Sequence, residues 1–227
     1  MNPSKNLSKQ IHSSPQNRRK FLKSTACITS GLFGMAGFSF GSEVRENPIN
    51  EGLYVIGPME GYTPHIGILV SMLNYNRHTI IEMVKGLSVQ QMDYLHDPQA
   101  NTIGALLLHL GATEVFYQAN TFEGRQDYNE EEKKIWGAAM NLGEEGREKI
   151  KGQDTVNYIQ KITEIRQKTL NQLKKKDDEW LMAIDPVWSE KESYNTYWKW
   201  FHVCEHEANH RGQIAWLKSR LPASENE

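Results

Sequence analysis

The 227-residue chain has only two cysteines, Cys27 and Cys204, so it is not a disulfide scaffold and must rely on an apolar core. It has no fully apolar run of the roughly 20 residues that a membrane span needs: the weakly apolar run at 25–40, interrupted by Gly and Ser, falls short. No stretch alternates polar and apolar residues over strand length, which argues against a sheet-based fold. Internal repeats and low-complexity tracts are also missing. The first 42 residues contain no acidic side chain, against six basic ones: Lys5, Lys9, Arg18, Arg19, Lys20 and Lys23.

That last absence characterises the segment. The cations lead into a weakly apolar run, residues 25–40, punctuated by Gly31, Gly34 and Gly37. Basic then mildly apolar is the layout of an export signal. Asn17-Arg18-Arg19-Lys20-Phe21-Leu22-Lys23 resembles the twin-arginine (Tat) consensus, with Asn17 where serine is usual. Residues 1–42 are therefore expected to be a twin-arginine-type signal peptide. The protein would then be exported to the periplasm or another extracytoplasmic space, with no membrane span in its mature form. Residues 43–63, rich in Gly, Pro and Asn, read as a linker or lead-in loop, and 64–227 as the folded domain. Without the signal's six cations the rest carries 20 basic and 28 acidic residues, a formal charge of −8. An acidic body of this kind argues against a nucleic-acid partner.

Four segments have helical periodicity. The first spans about 64–85 and stops at Gly86, with Ile66, Leu69, Leu73, Ile80 and Val84 on one stripe. The second starts behind Thr102, a good N-cap, and turns Ala105, Leu106, His109, Ala112, Thr113 and Phe116 inward to about 122. The third, about 155–176, directs Val156, Ile159, Ile162, Leu170 and Leu173 inward. The fourth, about 194–221, ends before Pro222 and carries Val203, His206, His210, Ile214 and Leu217 inward, with His202 and Gln213 beside them. A polar insert, 123–152, reads as one or two short helices over one end of the bundle. The prediction is all-α: a four-helix bundle with a short helical insert between its second and third long helices.

Arg77 and Arg166 fall on inward stripes, where an unpaired guanidinium is expensive. They could pair with internal carboxylates, snorkel past the bundle edge, or hold a substrate carboxylate. Trp198, Trp200 and Trp216 are expected in the core or in a pocket wall.

The chemistry concentrates at His206-Glu207-Ala208-Asn209-His210. Histidines four apart share one helix face and can share one metal ion. The H-e-x-x-h spelling also occurs in zinc proteases, but none of the 17 residues after His210 is a histidine, so a third ligand must come from upstream. His109, in the middle of the second helix's inward face, is the candidate. Three imidazoles leave an open position on a divalent transition metal, zinc or nickel foremost, with iron, cobalt or manganese as alternatives. Core histidines bonded to backbone or carboxylates are the competing explanation. Glu207, about 100° from His206, is a candidate general base or else a supporting or surface group. His202, one turn earlier, is a candidate proton shuttle or fourth ligand. Cys204 points about 160° from His206 and cannot join the same ion.

Two segments carry a family resemblance. His206 through Ile214 is close to the H-x-x-x-H-R-G-Q-I ending of the DinB/YfiT superfamily. Gly86-Leu87-Ser88 through Asn101-Thr102-Ile103-Gly104-Ala105-Leu106-Leu107-Leu108-His109-Leu110 resembles that family's second motif. The resemblance covers roughly 64–221. It implies a DinB-like four-helix bundle whose metal triad maps onto His109, His206 and His210. It also implies one of two chemistries: hydrolysis through metal-bound water, or transfer of a low-molecular-weight thiol. Such thiols are scarce outside the cytoplasm, so an exported metal-dependent hydrolase acting on a small molecule is the expectation. A thiol S-transferase and a non-catalytic metal- or ligand-binding protein are the alternatives. The resemblance also allows a homodimer.

Overall fold

The computed structural model describes residues 52–188 and 192–222; the export-type segment, Glu225 and Glu227 lie outside the described residues. The described residues form eight helices: α1 (Pro64–Val84), α2 (Val89–Met92), α3 (Ile103–Glu123), α4 (Glu130–Asn141), α5 (Gly143–Lys149), α6 (Thr155–Leu173), α7 (Asp178–Met182) and α8 (Thr196–Lys218). Among the described residues the only β-type pairing is an isolated bridge between Ile184 and Asn195. The bundle consists of α1, α3, α6 and α8. Helix α3 packs on α6 and α8, and α1 packs on α8 and α6. No helix among the described residues is long and apolar enough to cross a membrane.

Each long helix starts where the chain can satisfy its orphan amides. Thr102 Oγ1 accepts from Ala105 N at 3.0 Å, Asp154 caps α6, and Asn195 Oδ1 accepts from Trp198 N at 2.8 Å. Helix α1 has Pro64 in its first turn but no cap of its own. Its cap is supplied by Asp178, whose carboxylate accepts from the Thr63 hydroxyl and from His65 N and Ile66 N. Burial works against ionising Asp178, but these hydrogen bonds outweigh it and hold its pKa at about 2. One short helix thereby fastens the start of a long one.

The core forms two apolar clusters. One gathers Ile80, Leu106, Leu107, Leu110, Ile162 and Ile214; the other gathers Leu69, Leu73, Tyr117, Leu173, Trp200 and Val203. Each such side chain contributes roughly 1.5–3 kcal/mol on burial. Along every long helix a charged residue separates the two clusters: Arg77, Glu114, Arg166 and Glu207, all at most 4% exposed. Glu114 Oε2 accepts from Arg77 Nη2 at 2.7 Å and Glu114 Oε1 from Arg166 Nε at 2.7 Å. Glu207 Oε1 accepts from both arginines. Arg77 Nη1 also donates to the Ile162 carbonyl of α6, while Arg166 Nη1 donates to the Leu73 carbonyl of α1 at 2.7 Å. The inward arginines are thus paired with internal carboxylates. Burial alone would raise the Glu114 pKa, but the two guanidiniums drive it well below the usual carboxylate range.

The tryptophans lie as expected: Trp200 is fully buried in the core, and Trp198 and Trp216 form parts of pocket walls. Two placements correct the expectations from the sequence. Val156 is 65% exposed, because Thr155 and Tyr158 are the residues of that turn that face the core. The insert forms two helices, as expected, but α4 lies along α3 rather than only over an end of the bundle.

Candidate metal centre

Helix α8 carries His206 and His210 one turn apart, and α3 brings His109 to them. The ligand-capable atoms of the three all lie within 4.8 Å of one another. His206 Nε2 is 2.9 Å from His109 Nε2. The ring centroids of His206 and His210 are 4.4 Å apart, and both lie 4.9 Å from that of His109.

Two rings are oriented by their second nitrogen. His109 Nδ1 is 2.9 Å from the Ala139 carbonyl, which can only accept, so Nδ1 carries the proton and Nε2 offers a lone pair. His210 Nδ1 sits 2.9 Å from Gln213 Oε1 and leaves Nε2 available in the same way. Burial, the largest influence, lowers the pKa of all three histidines. For His206 the neighbouring imidazoles add to it and bring the value down to about 3. Neutral imidazoles are the form that ligates a metal. Ligand nitrogens about 2.0–2.1 Å from a tetrahedral ion would be roughly 3.3 Å apart, within a few tenths of an ångström of the His109–His206 separation. Donor chemistry, tautomers and spacing all fit a divalent transition metal.

Two of the three, His109 and His206, line a cavity of about 630 Å³. Its far wall comes from the insert, through Tyr128, Lys133 and Met140, and its near wall includes Thr113, Tyr117 and His202. Tyr128 is fixed there by donating its hydroxyl to the Ala112 carbonyl of α3. The cavity is therefore bounded on one side by α3 and α8 and on the other by the segment that looked like a peripheral cover.

The remaining predicted residues lie apart from the triad. His202 lines the cavity but is not one of the clustered ligands. Its Nδ1 is 2.8 Å from Glu205 Oε1, and its ring stacks on Trp198 at an interplanar angle of 3°. Glu207 does not face the cavity. It is 1% exposed and belongs to the arginine network, because a 100° step from His206 directs it to the α1–α6 side. Cys204 is also outside the triad: it is buried, and its sulfur accepts from Asn76 Nδ2 at 3.1 Å. Sequence reasoning missed Glu114, hidden in a helix that is apolar nearly all round, and Ala139, whose role is played by a backbone carbonyl. The two inward arginines were the available signal for a partner like Glu114.

A protein-family model described as mycothiol-S-transferase matches residues 68–222, a span that includes all three histidines and the insert. No curated protein matches the chain.

Proposed function

Because the chain belongs to the mycothiol-S-transferase family, a DinB-like family, we propose that it is a metal-dependent S-transferase that joins the sulfur of a small thiol to an electrophilic small molecule. The observation that carries this reading is the convergence of three imidazoles, two of them on the wall of a 630 Å³ cavity. His109, His206 and His210 would hold the ion, with zinc or nickel best suited to an all-nitrogen set. When bound, the metal supplies a Lewis acid that acidifies a coordinated thiol or water.

The chain's own residues do the rest. The apolar and aromatic surfaces of Tyr117, Tyr128 and Met140 take the electrophile's carbon skeleton and exclude water. His202, tied through Nδ1 to Glu205, has Nε2 left to receive the thiol proton. The sulfur–carbon bond forms as the leaving group departs with its electron pair, so the balance needs no redox partner. Glu207 supports the site from within the core, through its ion pairs with Arg77 and Arg166.

Hydrolysis of a small molecule by activated water is the second reading. It is favoured by the acid-free, twin-arginine-like segment 1–42, whose export would place the protein where small thiols are scarce.

The test starts with elemental analysis of the purified protein beside His109→Ala. Near-stoichiometric transition metal, lost in the variant, is expected. The loaded protein is then mixed with mycothiol and an alkyl chloride such as monochlorobimane, and products are resolved by mass spectrometry. Metal-dependent thioether supports transfer, and alcohol formed without thiol supports hydrolysis. Bound metal with neither product would mark a binding protein. A wild type that takes up no metal after reconstitution overturns the reading.

A further inference from the structure

The turn between α4 and α5 has a backbone that its sequence does not explain. Leu142 lies at φ 54°, ψ −142°, and among the described residues it is the only non-glycine at positive φ. That region is essentially reserved for glycine, and strain of this kind persists only where surrounding contacts over-determine it. Gly143 follows at φ 62°.

Two contacts hold the turn. The Leu142 side chain packs against the larger apolar cluster. Gly143 N donates at 3.1 Å to Asn101 Oδ1, a side chain next to the N-cap of α3. The second contact has an electronic consequence. If α4 ran on by one residue, Gly143 N would donate to the Ala139 carbonyl, four residues back. Asn101 diverts that amide, and the Ala139 carbonyl instead accepts from His109 Nδ1. The last turn of α4 also carries the negative end of the helix dipole, which favours an imidazole that donates toward it.

We propose that Asn101 is a positioning residue for the metal centre: by capturing the amide of Gly143 it holds the end of α4 where the Ala139 carbonyl meets His109 Nδ1, leaving His109 Nε2 facing the other two histidines. The strained Leu142 turn is the conformation this capture maintains. The insert is thereby connected to the ligand set through backbone carbonyls at the end of α4, Ala139 foremost and Met140 beside it, and Asn101 governs their placement. Replacing Asn101 removes the acceptor. The turn then relaxes, the end of α4 shifts away from α3, and His109 loses its fixed tautomer.

The effect on metal affinity rests on the three-histidine reading above; the effect on His109 does not. Two readouts keep them apart. In metal-free, ¹⁵N-labelled protein, long-range ¹⁵N–¹H correlation reports which His109 nitrogen carries the proton. Wild type and Asn101→Asp, which retains an acceptor, should show the Nδ1–H form, and Asn101→Ala a mixture of both tautomers. Cobalt(II) titration against a competing chelator should show affinity falling about 10- to 100-fold in Asn101→Ala, the usual cost of losing a group that orients a ligand. Asn101→Asp should stay within about threefold of wild type on that scale. Circular dichroism melts check folding, and Asn101→Ser replaces the alanine variant if the latter does not fold. A wild-type tautomer in Asn101→Ala, or, where the wild type binds cobalt, an Asn101→Ala affinity equal to it, overturns the proposal. Wild type that binds no cobalt but shows the tautomer shift refutes the metal reading alone.

Discussion

The substitution Glu114→Gln tests the arginine–glutamate network most directly, because it keeps the side chain's shape and removes one charge. Both Glu114 oxygens act only as acceptors: Oε1 takes Arg166 Nε and the Thr169 hydroxyl, and Oε2 takes Arg77 Nη2 and Arg166 Nη2. An amide has one acceptor and one donor. Whichever way it is turned, its NH₂ faces two donors, and two charge-assisted bonds are lost. The network changes from two cations and two anions to a net positive charge in a fully buried site. Breaking a buried pair on one side costs about 3–5 kcal/mol. With a urea m-value of about 2 kcal/mol/M, the unfolding midpoint should drop by roughly 2 M. Urea titration followed by circular dichroism at neutral pH measures this. Adding Arg77→Met restores neutrality, so the double variant should be less destabilised than the sum of the singles by at least about 1 kcal/mol. A single-variant loss below about 1 kcal/mol, or strict additivity, would show that water or protonation already neutralises the cluster and refute the argument.

The remaining predictions concern acid, packing and strain. Metal-free protein should lose stability as pH falls below the unfolded histidine value near 6.5, because the unfolded chain binds protons that the buried histidines refuse until about pH 3 for His206. A further decline should follow below the unfolded carboxylate range, as Asp178 is protonated on the way down to about 2. Urea midpoints flat from pH 7 to 5 would contradict the first part. Gly104→Ala should destabilise by about 1–3 kcal/mol despite alanine's better helix propensity, as read from thermal melts. The new Cβ would lie 2.8 Å from the Tyr158 ring, which is fully buried and has little room to move. Leu142→Gly relieves a positive φ but gives up apolar packing, so its melting temperature should change by only a few degrees.

Much of the bundle was legible in the sequence because its signals are local. Thr102 and Pro222 bracket helices, and the stripes of the four long segments repeat at the helical period. His206 and His210 are an i, i+4 pair, and the lone inward His109 supplied their third member. What could not be read depends on non-local geometry. Val156 fits the third stripe by angle, but the first turn of α6 is aligned by Thr155 and Tyr158. Glu207, open in the sequence to a role as base, supporting or surface group, points into the bundle's centre, where arginines from two other helices meet it. The position of α4 beside α3 depends on tertiary packing, and the Ala139 carbonyl that orients His109 leaves no mark in side-chain chemistry.

The paired arginines also bear on how this fold can vary. Each reaches across to a main-chain carbonyl on the other's helix, Arg77 to Ile162 and Arg166 to Leu73. Leucine and isoleucine contacts tolerate a helix sliding or rotating by a fraction of a turn, whereas directional bonds to fixed carbonyls do not. Axial alignment of α1 with α6 is thus set at one level, largely independent of which aliphatic residues fill the layers above and below. Sequence drift in those layers should change how firmly the bundle holds together while leaving the three imidazoles level with one another. Selection on the cavity walls can then proceed without renegotiating the scaffold.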